Sequence, residues 1–329
     1  MSTRQLKVTI CSVAAVLMVV PPSRGDSNTG RSAGPFHPHC SASYWRLPLD
    51  QYGYPIDTDA DGTRSPATDM LQHLLDSRAK YLAYDRDCFK HYRDLKDHTR
   101  NFIGASVGAV FTDDRRFFCA AFRIAADIIM TAGHCANGID GADKRIFRLV
   151  GYPEIEMKIL EQIPPRAEEP VDDFGDYALF KIQDPAVAGF WTAKNFSRDI
   201  AKHQVIIIVA VSLIPKELAE HDSKYTWLDD VRFSRAYSSK TWPPEEVGTN
   251  LPSSSNRSEC IYHRAPTFPG MSGAPIIAVH APTKVGGPPT FSVIGMHLRN
   301  GAERGEDCGK AFDYNVGIKI PEHVMKAMN

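Results

Sequence analysis

From residue 102 onward, short apolar runs rich in β-branched and aromatic residues are separated by clusters of Gly, Asp and Pro. This texture predicts strands over Phe102–Phe111, Phe117–Ile124, Asp127–Thr131, Ile146–Val150 and Tyr177–Ile182. A second set is predicted over Val205–Leu213, Val231–Tyr237, Cys260–His263, Ala274–Val279, Phe291–Leu298 and Val316–Ile320. No helical period intervenes, so the pattern points to antiparallel barrels or sandwiches. Pro321–Met328 reads as a short closing helix with proline in its first turn. Ser238–Glu259 is polar and rich in Pro and Ser, the composition of a surface loop. Upstream, residues 26–66 carry no sustained period. Between Pro66 and Asp97, Met70, Leu71, Leu74, Leu75, Ala79 and Leu82 recur at helical spacing, so the N-terminal extension is expected to be partly helical.

The first 25 residues read differently. Arg4 and Lys7 precede an apolar run from Val8 to Val20, broken by Pro21 and Pro22 and followed by Ser23-Arg24-Gly25. That is the form of a secretory signal, and about 13 apolar residues fall short of the ~20 that span a bilayer. Export changes the meaning of the cysteines. Outside the signal there are six, Cys40, Cys88, Cys119, Cys135, Cys260 and Cys308, an even set that fits three disulfides in any of about 15 pairings. Cys40 and Cys88 are near enough in sequence to be the simplest guess at one pair. Two glycosylation tripeptides begin at Asn195 and Asn256. With 38 basic and 39 acidic residues among 329, the net charge of −1 gives no electrostatic reason for a nucleic-acid or anionic-membrane partner. The 12 histidines include no His-Glu-x-x-His zinc spacing.

Three segments carry chemistry. Phe118-Cys119-Ala120-Ala121 leads to Thr131-Ala132-Gly133-His134-Cys135; Asp176 opens Tyr177-Ala178-Leu179-Phe180; and Pro269-Gly270-Met271-Ser272-Gly273-Ala274-Pro275 follows. Taken singly, each has a plain reading as a surface histidine, a residue punctuating a strand, or a turn. Taken in order, they resemble the trypsin/chymotrypsin-fold serine proteases over residues 102–329. The resemblance implies two six-stranded antiparallel β-barrels, with His134 and Asp176 on the first (residues 102–200) and Ser272 on the second (201–329). Ahead of them stand the signal (1–25) and an extension (26–101).

The roles implied are those the chemistry needs. A serine hydroxyl is a weak nucleophile until an imidazole takes its proton, so His134 would be general base and then acid. Asp176 would fix its tautomer and stabilise the imidazolium. The N–H groups of Gly270 and Ser272 would face the oxyanion. The resemblance also implies a Cys119–Cys135 disulfide. Asp172 and Asp173 compete for the carboxylate role, but Asp176 directly precedes the Ala-Leu-Phe strand.

Three departures matter. Pro266 stands six residues before the serine, where relatives that cleave after Lys or Arg carry aspartate. Met271 replaces the aspartate that pairs with a new amino terminus on zymogen activation. The extension is therefore either a propeptide, cut for instance near Arg100-Asn101, or a permanent accessory module, and the protease domain either activates by another route or is competent uncut. Thr267 and His297, in Val293-Ile294-Gly295-Met296-His297, resemble the pocket residues of glutamyl endopeptidases, which bind an acidic side chain, and a similar Gly-x-His in picornaviral cysteine proteases of the same fold binds glutamine, so the resemblance implies cleavage after Glu or Gln. Arg299 would add positive potential if the strand ran on regularly past His297. The expectation is a secreted (extracellular or periplasmic) monomeric endopeptidase acting on proteins or peptides, with no cofactor. The competing reading is an inactive homologue that binds rather than cuts. An α/β-hydrolase esterase would need serine before histidine and helices between strands.

Overall fold

In the computed structural model the described residues are 90–92, 95–111, 117–136, 145–164, 173–183, 186–210, 235–247, 257–265, 270–284, 287–301, 307–309, 311 and 314–328. The signal-like stretch, the helical pattern of residues 66–89, Cys40, Cys88, Asp172, Asn256, Pro266 and Thr267 lie outside them.

The strands are β1 (Lys90–His91), β2 (Val107–Phe111), β3 (Phe117–Ala125), β4 (Ile128–Thr131), β5 (Ile146–Leu149), β6 (Tyr152–Ile163), β7 (Ala178–Ile182), β8 (Val205–Ala210), β9 (Arg235–Trp242), β10 (Cys260–His263), β11 (Pro275–His280), β12 (Thr290–Asn300) and β13 (Asn315–Lys319). Among the described residues four short α-helices accompany these strands: α1 (Asp97–Ile103), α2 (Gly133–Ala136), α3 (Pro244–Val247) and α4 (Glu322–Ala327).

Strands β2-β3-β4-β7-β6-β5 close into a six-stranded barrel, and every pairing is antiparallel. Strands β9-β10-β13-β12-β11-β8 close into a second through the β8–β9 ladder, and β1 adds to the edge of β9. Closure removes the free edges that so many short strands would otherwise expose. The architecture is chymotrypsin-like.

Period-two alternation builds the first core. In β5, Phe147 and Leu149 are buried between half-exposed neighbours; in β7, Ala178, Phe180 and Ile182 are buried and Lys181 points out. With Val110, Ile129, Met157 and Ile159 they form one apolar cluster, and each large side chain contributes about 1.5–3 kcal/mol by leaving water. The segment joining the barrels is anchored by Trp191, which is fully buried. Its backbone N–H donates to Ser106 Oγ at 2.8 Å and its indole N–H to the Phe102 carbonyl at 2.7 Å. Phe102 also packs against the rings of Trp191 and Phe291, so α1 lies across both barrels.

Four expectations change. Strand β6, the longest among the described residues, lies where the sequence pattern predicts no strand: Glu154, Glu156, Lys158 and Glu161 give it a charged outer face, and only Met157 and Ile159 are deeply buried. Phe102 and Ile103 belong to α1, whose Ile103 is buried, so β2 begins at Val107. Ser238–Trp242 continues β9 rather than forming a loop, because the second barrel accepts polar groups inside: Ser239 and Thr241 are buried, and Thr241 Oγ1 accepts the Gln204 N–H at 3.0 Å. Pro321 is the N-cap of α4, one residue outside the helix, where its fixed φ suits the turn into it.

Disulfides join Cys119 to Cys135 and Cys260 to Cys308. The first pairing is the one the resemblance implied. On the chain-entropy model, separations of 16 and 48 residues correspond to about 3 and about 4 kcal/mol of stabilisation. No helix among the described residues is long and apolar enough to cross a membrane.

Candidate active site

His134 sits in α2, immediately after β4, and Asp176 lies just ahead of β7, the strand that pairs with β4. The ladder therefore sets the two residues side by side although 42 positions separate them. One carboxylate oxygen of Asp176 accepts the backbone N–H of His134 at 2.7 Å; the other lies 2.8 Å from Nδ1 of its ring. An ionised carboxylate only accepts, so Nδ1 carries the proton and Nε2 is left as a base. The Asp176 side chain is 12 % exposed and that of His134 43 %, so the carboxylate is enclosed while the imidazole reaches solvent.

Ser272 comes from the second barrel, on the turn leading into β11. That turn is fastened to the first barrel: the Ala120 N–H is shared between the carbonyls of Gly270 at 3.0 Å and Ser272 at 3.1 Å. Cys135, next to His134, has its Sγ 4.0 Å from the Ser272 carbonyl oxygen. The serine hydroxyl donates to the Leu298 carbonyl at 2.9 Å. Gly273 has φ +87°, and a Cβ there would lie 2.2 Å from the Ala120 carbonyl oxygen, so only glycine lets the two barrels meet this closely. Gly270 has the same φ. Met271, between Gly270 and Ser272, is fully buried.

The other candidates fall as follows. Thr267 lies outside the described residues. His297 is 3 % exposed in β12; its N–H donates to the Ala274 carbonyl and its carbonyl accepts from Gly273, so its backbone is bonded directly to the serine turn. Its Nδ1 is 3.2 Å from Nε2 of His263, a fully buried residue of β10 that in turn accepts the Ala265 N–H on Nδ1 at 3.2 Å. Burial first, then the neighbouring His134 and Arg299, pushes the His297 ring down to about 3. Burial and the adjacent His297 push His263 well below the usual histidine range. Both rings are therefore neutral near pH 7.

Arg299 does not add open positive potential. A register shift between His297 and Arg299 breaks the regular alternation of β12. The guanidinium then closes on Asp173, Nε to Oδ1 at 2.8 Å and Nη2 to Oδ2 at 3.0 Å, with a third bond from Nη2 to the Gly309 carbonyl at 3.1 Å. Asp173 also accepts the Cys308 N–H at 2.8 Å. This carboxylate pairs with Arg299 and not with His134.

Sequence reasoning did not single out His263. The signal was available: it is the one histidine in a four-residue strand, Cys260-Ile261-Tyr262-His263, whose every residue is buried.

The chain matches no family model and no curated protein sequence. Among solved structures it is similar to neuropsin, a serine protease expressed in the limbic system of mouse brain. The two are 17 % identical with a TM-score of 0.48, over 72 % of this chain and 98 % of that one. The two-barrel fold assigned above rests on the strand pairing of this chain itself.

Proposed function

We propose that the protein is a serine endopeptidase, hydrolysing peptide bonds through an acyl-enzyme, with Ser272 as nucleophile, His134 as general base and acid, and Asp176 as its orienting carboxylate. The observation that carries this reading is the double engagement of Asp176, which binds both the backbone N–H and Nδ1 of His134 and so fixes the ring with its proton on Nδ1.

In the resting structure the Ser272 hydroxyl donates to the Leu298 carbonyl, and for catalysis it must exchange that acceptor for Nε2 of His134. The serine Oγ then attacks the scissile carbonyl carbon as its proton passes to Nε2. The N–H groups of Gly270 and Ser272 receive the oxyanion, each worth about 3 kcal/mol where the donor is aligned. The imidazolium returns its proton to the leaving amine, and water repeats the sequence to free the enzyme.

The rest of the reading follows the same lines. The N-terminal 25 residues export the chain, and an oxidising compartment keeps the two disulfides closed. Thr267 and His297 line the pocket for the residue before the cut, taken to be Glu or Gln. The segment from α1 onward stays with the mature protein, because Arg100-Asn101 lies inside that helix and Phe102 is bonded to Trp191. Met271, buried and uncharged, offers no partner to a new amino terminus, so catalysis does not wait for one.

The test uses the full chain as secreted, with Ser272→Ala beside it, on a mixed peptide library read by mass spectrometry. Wild type produces cuts, and Ser272→Ala loses them by a factor on the order of 10⁴–10⁶. The same cuts from both proteins, or none from a folded wild type, overturn the proposal.

A further inference from the structure

We propose that His263 is a positioning residue for substrate selection: it holds His297 in the one tautomer that donates from Nε2, so the pocket prefers glutamine over glutamate before the cut. This rests on the reading above, in which His297 faces the substrate.

The assignment follows from counting protons. The Ala265 N–H donates to Nδ1 of His263, and a ring nitrogen that accepts carries no proton, so the His263 proton is on Nε2. That N–H faces Nδ1 of His297 at 3.2 Å, which must accept, and the His297 proton is therefore on its own Nε2. The relay starts from a fixed point, because Asn315 Nδ2 donates to the Ala265 carbonyl at 2.6 Å and all three residues are buried. A second proton on His297 would set N–H against N–H across the ring pair. His297 is thus a neutral donor whose direction is dictated two residues away.

The charges around it decide which acceptor suits. Among the described residues the ionisable groups that act on His297 are His263, His134 and Arg299. His134 is held by Asp176, and Arg299 is closed on Asp173. Neither contributes an uncompensated cation. A glutamate carboxylate would leave water for a neutral donor and meet its desolvation cost with little in return, whereas a glutamine carbonyl sheds far less. Glutamine also brings an N–H₂ group that asks only for a carbonyl.

The test compares kcat/KM on three peptides differing only in glutamine, glutamate or leucine before the cut. The enzymes are wild type, His263→Phe and His263→Gln. Wild type prefers glutamine over glutamate by about tenfold or more. His263→Phe, which cannot donate to His297, loses about tenfold on glutamine relative to leucine, the value of one hydrogen bond. His263→Gln, whose amide can accept from Ala265 and donate to His297, keeps most of the preference. A loss shared equally by all three peptides would indicate a merely structural role and overturn the proposal, as would a preference for glutamate.

A second readout does not depend on turnover. Long-range ¹H–¹⁵N spectra of the full-length Ser272→Ala protein at pH 7 report the His297 tautomer. An Nε2–H pattern is expected; an Nδ1–H or doubly protonated pattern overturns the proposal. A wild type that cuts only after other residues also overturns it while leaving the protease reading intact. Cuts that persist in Ser272→Ala defeat the protease reading itself.

Discussion

The two barrels spend buried polarity in different ways. The first is mostly apolar inside, and its buried cation Arg123 is held by backbone and an aromatic face: its Nη groups donate to the carbonyls of Ala105, Val187 and Ala126, and its guanidinium lies over the Phe190 ring. Its ionisable pair, His134 and Asp176, sits at the rim with the imidazole open to solvent. The second barrel seals its polar groups in: His263, His297, Asn315, Ser239 and Thr241 are all buried, and the Arg299–Asp173 pair is only 9 % and 4 % exposed. A group that must exchange protons needs water or substrate at one end, whereas a group that must only point in one direction is better enclosed. The turn from Asp173 to Asp176 makes the contrast within four residues, giving one carboxylate to each barrel.

The largest effect expected from breaking that contrast is on turnover. Asp176→Asn keeps a carbonyl oxygen for the His134 backbone N–H but can present an amide N–H to Nδ1, which forces the ring into the wrong tautomer. We expect kcat to fall by roughly 10⁴, or about 5 kcal/mol of transition-state stabilisation, while the urea midpoint moves little. Kinetics and denaturation on the same preparation check both halves. A variant that loses stability and keeps its rate would reverse the roles assigned to the two aspartates.

Asp173→Asn should do the opposite. It leaves a nearly sealed guanidinium without its counter-charge, and breaking such a pair costs about 3–5 kcal/mol. The urea midpoint falls, and the activity per folded molecule falls far less than in Asp176→Asn. The double change Asp173→Leu with Arg299→Met removes both charges and recovers much of the loss. If the double variant is no better than the single, the cost lies in the Cys308 and Gly309 contacts and not in the stranded charge.

These two aspartates also mark how far the sequence could be read. The strands of the first barrel are legible because Phe147, Leu149, Phe180 and Ile182 alternate with solvent-facing residues, and period two is a local property. The His134–Asp176–Ser272 order is legible because each residue lies in a distinctive short string. Asp173 and Arg299 are 126 residues apart, and what joins them is a slip in the β12–β13 register that no local pattern announces. The β6 strand escaped because its charged face hid a two-residue apolar one, and the polar end of β9 because its Ser and Thr point into a barrel rather than away from it. What was missed is where tertiary pairing overrides local texture.

The smallest effect tests the enclosure of the second barrel through acid. In the unfolded chain a histidine titrates near 6.5, whereas His297 in the fold is pushed down to about 3 and His263 moves in the same direction. Between those values the unfolded state binds protons that the native state refuses, so stability rises with pH across the window and is lost as pH falls from about 6.5 toward 3. Well above pH 6.5 neither state is protonated and the pair contributes no slope. Each histidine adds at most about 1.4 kcal/mol per pH unit, measurable as urea midpoints in Ser272→Ala between pH 7 and 5, above the range where exposed carboxylates titrate. Adding His263→Phe removes one of the two groups and should make the acid slope shallower even if the variant is less stable throughout. An unchanged slope would mean that the His263 ring reaches water and takes up its proton without unfolding, and the second barrel would then be no more sealed than the rim that carries His134.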